Sequence, residues 1–391
     1  MRLALEKPDL ISLAVGFTDN ETLPVDEVAA LAGKILSRPK TARAALQYGT
    51  TAGLPALRRE LLRRWQRQDG ARPARISEDD MVVTNGSQQL LYLASEALCD
   101  PGDIVLVEDP TYFVYLGIVE AMGIRTIGFD GLETLKTRLQ HLKATRRLAR
   151  LKMVYLVTYF QNPTGHTWSL DEKREALAIV KHAERAAGHP LYILEDAAYR
   201  DLRFEGGDVP SFKSLDSRNE RVAYTNTLTK PFATGIKLGY GLLPKPLMRA
   251  VLRSKGNHDF GSSNFLQTIL ARALAEGRYD RHLPRIAAAY RRKREAMIEA
   301  LDASFPNTAR YQTPQGGLYV WVELDEATRT GAGSRLFKRA LDAGVLYVPG
   351  EMCYCADPSR QVPRNCLRLS FGAPAIPQIQ KGIRLLADAL D

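Results

Sequence analysis

Cysteine is scarce in this chain: four in 391 residues, at Cys99, Cys353, Cys355 and Cys366. That is too few for a disulfide-built scaffold. Only Cys353 and Cys355 lie close together, and no second pair or nearby histidine completes a zinc spacing, so no metal site is expected. Long apolar runs are also missing. No stretch approaches the roughly 18 unbroken apolar residues that span a bilayer, so no membrane association is expected. The opening residues MRLALEKPDLIS put Glu6, Lys7 and Asp9 where a signal peptide would carry its apolar region. With the few cysteines, this points to a reducing, cytoplasmic setting. Internal repeats, low-complexity tracts and Pro/Ser-rich linkers are absent, which argues against solenoids and disordered arrays. Charge of one sign is not segregated either. The net charge is +10, yet Asp and Glu are interleaved with Lys and Arg throughout. RRELLRRWQRQ and RIAAAYRRKRE carry their bases at helical spacing and read as solvated helix faces, not as a nucleic-acid surface. The excess still favours anionic small molecules.

What is present is an ordinary globular composition, 45% apolar and 25% charged, long enough for more than one domain. Apolar runs of strand length alternate with helical patterns. Ile104–Glu108, Met153–Val157 and Leu191–Leu194 are continuous rather than alternating, as in strands buried on both faces of a parallel sheet. Ser169-Leu-Asp-Glu172 is a capping box opening a helix that Gly188 closes. Strand, capped helix and strand form a crossover unit, so the fold class is α/β. Further helices are predicted from Gly86 and over 284–303, then a strand in GGLYVWVEL. A helix near 333–343, strands Val345–Val348 and Cys366–Ser370, and a last helix follow. The predicted organisation is a large domain over 35–285 and a small domain over 286–391, joined by an N-terminal segment, 1–34.

In open parallel sheets ligands sit beyond the carboxyl ends of the strands. Asp109 and Tyr112 follow one predicted strand, Gln161-Asn162-Pro-Thr-Gly165 the next, and Glu195-Asp196-Ala-Ala-Tyr199 the third; Tyr224–Lys230 is a strand-like run ending on lysine. Singly these are turn, cap and packing residues. Their order along one sheet gives them meaning.

Tyr48-Gly-Thr-Thr-Ala-Gly53, Asn85-Gly-Ser-Gln-Gln89, Asp109-Pro-Thr-Tyr112, Asn162-Pro-Thr-Gly165, Asp196-Ala-Ala-Tyr199, Thr227-Leu-Thr-Lys230, Gly235-Ile-Lys-Leu-Gly239 and Arg368-Leu-Ser-Phe371 follow one another along nearly the whole chain. In this order they resemble the class I/II aminotransferases of fold type I, nearest the branch of 2-aminoadipate and kynurenine aminotransferases. The resemblance implies a large domain with a mostly parallel central sheet flanked by helices, and a smaller α+β C-terminal domain. It implies pyridoxal 5′-phosphate as cofactor, held by Lys230 as a Schiff base. Asp196 corresponds to the carboxylate that keeps the pyridine nitrogen protonated. Tyr199 and Asn162 correspond to the partners of the ring's phenolic oxygen, and Tyr112 to the aromatic residue stacked on the ring. Ser87 and Gln88, with Thr227, Thr229 and Lys237, would receive the phosphate at a helix N-terminus. Tyr48 matches a residue reaching the phosphate from a partner subunit, which implies a homodimer with shared active sites. Arg368 corresponds to the arginine that grips the substrate carboxylate, with Asn162 beside it. Gly16 aligns with a glycine that lets an N-terminal segment close over substrate.

Some positions depart from the family pattern. Lys237 stands where arginine is usual and supplies charge without the planar fork. Asn226 and Val15 stand where glycine is frequent, and the segment after Pro349-Gly350 diverges through Cys353 and Cys355. None of the six histidines matches a family role, and His166 reads as a turn residue. The expected reaction is transamination between an α-amino acid and a 2-oxo acid, in ping-pong order. The same site can support a lyase, a decarboxylase or an amino-acid oxidase or cyclase. A non-catalytic sensor is the remaining alternative; the matched region begins almost at residue 1, so no DNA-binding module is expected ahead of it.

Overall fold

The computed structural model describes residues 6, 9–70, 76–357 and 361–390. Residues 1–5 and 7–8 of the expected N-terminal segment lie outside the described residues. The first strand, β1 (Ile11–Ser12), is followed by seven that form one sheet: β2 (Met81–Asn85), β3 (Ile104–Glu108), β4 (Arg125–Phe129), β5 (Leu151–Val157), β6 (Tyr192–Asp196), β7 (Val222–Thr227) and β8 (Leu238–Leu242). Their order is β2-β8-β7-β6-β5-β3-β4. β3, β4, β5, β6 and β7 pair in parallel, and β8 runs antiparallel to both β7 and β2. β2 therefore ends at the same sheet edge as the parallel strands.

The continuous apolar runs have the cause expected of them. Ile104, Leu106, Val154 and Leu156 belong to one buried cluster, packed with Leu135 and Leu177 of the helices Leu132–Ala144 and Leu170–Ala187. The alternating residues Val105, Val107, Met153 and Tyr155 belong to the other cluster. Each face of the sheet is thus covered, and a polar side chain in these strands would be buried either way. The capping box is formed: Ser169 Oγ accepts from Glu172 N, the Glu172 carboxylate accepts from Ser169 N, and Gly188 ends the helix at φ +74.

C-terminal elements build a second, four-stranded sheet from β9 (Arg310–Tyr311), β10 (Tyr319–Glu323), β12 (Val348–Pro349) and β13 (Cys366–Ser370), while β11 (Val345–Leu346) pairs in parallel with β1. Leu13 O also accepts from Ser370 N at 2.7 Å. The predicted strand Val345–Val348 is therefore two strands in different sheets. The chain changes sheets at Tyr347, whose hydroxyl is held by Thr330 O at 2.8 Å. The helix predicted from residue 284 begins earlier, spanning Arg278–Ser304 with Pro284 inside it. β8 is a strand the sequence hides, because its two glycines disfavour a strand. Their reason is contact: a Cβ at Gly241 would overlap Leu90, and one at Gly239 would lie 2.5 Å from Gly86 C and Ser87 N. No described helix is long and apolar enough to cross a membrane.

Candidate active site

The ends of β5, β6 and β7, the turn after β2 and the residue before β8 meet around a cavity of about 550 Å³. Register explains the meeting. Val157 pairs with Asp196, Asp196 with Thr225, and Thr227 with Gly239 across successive strands. Gly16, Ser87, Gln88, Tyr112, Asn162, Asp196, Tyr199, Thr227, Thr229, Lys230, Lys237 and Arg368 all line this cavity. Of the residues to which the resemblance gives a site role, Tyr48 alone does not. It is 83% exposed, with its ring edge-on to Phe260 at 5.5 Å. A larger hollow of about 720 Å³ lies beyond Phe113, lined by Arg125, Arg138 and Arg147 but by none of these residues.

Lys230 follows β7 by three residues, and its Nζ donates to the carbonyl oxygen of Gly16. Burial lowers its pKa, and the charges of Arg368 and Lys237 act the same way against an opposing contribution from Tyr319. A lysine so placed holds more neutral, nucleophilic amine at a given pH. Asp196 ends β6 and is 4% exposed. Burial pushes its carboxyl up to about 6, against hydrogen bonds from Ala198 N and Tyr155 Oη, each at 3.1 Å. Such an acid is stabilised in its charged form by an arriving cation.

The helix Gly86–Leu98 begins at the cavity, and no side chain caps its first turn. Its free N–H groups and dipole favour an anion there. Gly86 reaches this position with φ +71, and the closeness of Gly239 fixes the helix start against β8. Thr227 Oγ1 is engaged with backbone, donating to Leu238 O at 3.3 Å and accepting from Thr229 N at 3.1 Å. Thr229 Oγ1 is buried without a partner.

Arg368, on β13, is 2% exposed. Its guanidinium donates to Asn162 Oδ1 at 2.8 Å and to Ala14 O at 2.6 Å, while Nε is buried without a partner. It lies over the rings of Tyr319 and Phe113, at 4.2 and 5.3 Å from their centroids. Asn162 Nδ2 turns to the Tyr199 hydroxyl at 3.4 Å, and Tyr199 meets the Tyr319 hydroxyl at 3.2 Å. Tyr319, Tyr155 and Phe113 escaped sequence reasoning. Tyr319 and Tyr155 lay inside apolar strand runs, where a tyrosine reads as core.

The cofactor expected from the sequence needs an amine, a buried acid and an anion cradle. This cavity offers Lys230, Asp196 and the uncapped helix start, and Thr229 Oγ1 and Arg368 Nε stand there without partners. The residues fit the group.

The family model described as aminotransferase class I and II matches residues 8–383. The aromatic-amino-acid aminotransferase 1 of Thermococcus litoralis is 33% identical, over 99% of this chain and 89% of its own. The 2-aminoadipate transaminase of Thermus thermophilus is 30% identical, over 98% and 91%. A crystal structure of Pyrococcus horikoshii kynurenine aminotransferase in complex with PMP is similar at a TM-score of 0.89, with 31% identity over 100% of this chain and 92% of that one.

Proposed function

The chain belongs to the class I and II aminotransferase family, and from that membership we propose how the residues around Lys230 divide the work. It is a pyridoxal-phosphate-dependent aminotransferase, moving an amino group between an α-amino acid and a 2-oxo acid in ping-pong order. When bound, the cofactor supplies an aldehyde to which amines add and a ring that takes up the electron pair left at the substrate Cα.

Lys230 would hold the cofactor through its Nζ and would carry the proton away from the substrate Cα. Asp196 would face the ring nitrogen and keep it charged. Tyr199 and Asn162 would bond the phenolic oxygen, and Tyr112 would stack on the ring. The N–H groups of Ser87 and Gln88, the Thr229 hydroxyl and the ammonium of Lys237 would receive the phosphate, joined by the Thr227 hydroxyl once it turns from Leu238 O. Arg368 grips the substrate carboxylate with Asn162 beside it, and Gly16 lets the N-terminal segment lie against both. The observation that carries this reading is the convergence on one cavity of a desolvated amine, a buried acid and an uncapped helix start.

Phe17, Phe113 and Val114 also line the cavity, and Arg368 is its one arginine among the described residues. This supports donors with apolar or aromatic side chains over those with a second carboxylate. We propose a homodimer in which Tyr48 of one copy serves the cavity of the other, supported by the exposed Tyr48–Phe260 pair. A large domain of 35–285 and a small one of 286–391 joined by residues 1–34 is part of the same proposal, and the pairing of β1 with β11 supports it.

The test is direct. Borohydride reduction of the holoenzyme fixes the cofactor on the peptide containing Lys230, and incubation with amino acids and 2-oxoglutarate yields glutamate. A label on another peptide, or ammonia or carbon dioxide without glutamate, overturns the reading.

A further inference from the structure

Tyr319 opens β10 and is 3% exposed, with its phenol ring under the Arg368 guanidinium and its hydroxyl 3.2 Å from that of Tyr199. Gly16 gives a third bearing on it. A Cβ at Gly16 would overlap the Tyr319 hydroxyl and lie 3.6 Å from Lys230 Nζ. Gly16 is not among the residues with positive φ, so glycine is needed there for room and not for backbone conformation. The Tyr319 hydroxyl therefore fills the gap between Gly16, Tyr199 and Lys230.

We infer that Tyr319 is a positioning residue that acts through Tyr199: its hydroxyl donates to the Tyr199 oxygen and so commits the single Tyr199 proton to the phenolic oxygen of the bound ring. The inference rests on the proposed function and on a count of protons. A phenol has one proton and two acceptor positions. Asn162 Nδ2 approaches one acceptor position of Tyr199 at 3.4 Å. Were Tyr199 to donate to Tyr319, nothing would remain for the ring oxygen. With Tyr319 donating, both acceptor positions are filled and the proton is free for the ligand. A hydroxyl that accepts hydrogen bonds is also a stronger donor. A ring oxygen receiving that stronger bond is less basic, and it shares its proton with the nitrogen supplied by Lys230. Removing the Tyr319 hydroxyl therefore lets that proton persist to higher pH.

The experiment is a pH titration of the visible absorbance band of the holoenzyme, comparing wild type with Tyr319→Phe, Tyr199→Phe and the double variant. Tyr319→Phe shifts the midpoint upward by about half a pH unit, with cofactor stoichiometry and melting temperature unchanged. Tyr199→Phe shifts it further in the same direction, and the double variant matches Tyr199→Phe alone. An unchanged midpoint in Tyr319→Phe overturns the inference, and so does a double variant whose shift is the sum of the single ones. Loss of cofactor from Tyr319→Phe also overturns it, because a hydroxyl acting only through Tyr199 is not needed for retention. Wild-type protein lacking a visible band would instead bring down the cofactor reading, and this inference with it.

Discussion

Two buried charged groups lie on either side of Tyr199 in the sequence, and their surroundings differ. Arg200, 2% exposed, has all its nitrogens engaged: Nε with Asp208 at 3.2 and 3.0 Å, Nη1 and Nη2 with Asp69 at 3.2 and 2.8 Å, and Nη2 also with Val209 O at 3.3 Å. Asp69 accepts in turn from Ser211 N and Oγ, and the guanidinium lies over the Tyr159 ring at 4.9 Å. Asp196, just before Tyr199, opens on a cavity where Thr229 Oγ1 and Arg368 Nε have no partner. A satisfied cluster holds structure. Unpartnered atoms that face a cavity, unlike those sealed in the core, leave room for a ligand to satisfy them, and the fold bears their desolvation until one does.

The comparison is most sharply tested at Lys230. Lys230→Ala should lower turnover by about five orders of magnitude while leaving thermal unfolding of the apoprotein nearly unchanged, as steady-state rates and melting curves would register. A large loss of stability would mean that Lys230 belongs to the structural class. Asp69→Ala is the converse. It strands Arg200 in the interior, and denaturant titration should show a loss of about 3–5 kcal/mol. Arg368→Lys keeps the charge but not the fork, and should cost about a hundredfold in kcat/KM for amino acids at little cost in stability.

The smallest effect concerns Asp196 and carries a sign. Its folded pKa lies near 6, above the usual 3.8. The apoprotein therefore loses stability as pH rises from about 4 to about 6, by an amount on the order of 2 kcal/mol. Asp196→Asn should flatten that slope and make the apoprotein the more stable of the two at pH 7.5. Adding pyridoxal phosphate should reverse the ranking, because only the carboxylate can pair with a charged ring nitrogen. Melting of both proteins with and without the cofactor reads both halves.

Much of this was legible beforehand. Strands buried on two faces announce themselves as unbroken apolar runs, and the Ser169–Glu172 box and Gly188 mark a helix by local hydrogen bonding alone. Tyr112, Asn162, Asp196, Tyr199 and Lys230 were legible because they end or follow β3, β5, β6 and β7, which lie side by side in chain order, whereas Gly16 and Arg368 were legible only through the family resemblance. What stayed hidden depends on distance along the chain. Asp69 and Arg200 are 131 residues apart, and Tyr199 and Tyr319 are 120 apart. No periodicity links such pairs. β8 was hidden for another reason: its glycines answer to the atoms of Leu90, Gly86 and Ser87 and not to any strand preference.

Gly239 has a consequence for how this enzyme can change. The smallest side chain, one methyl group, would have to share space with the backbone of Gly86 and Ser87. The hydrogen on that Cα thus acts as a gauge block, setting how far the sheet stands from the first turn of the helix. Loops around the cavity can drift and re-specialise, but this spacing has no looser setting, and the phosphate grip proposed for that turn would be machined to it.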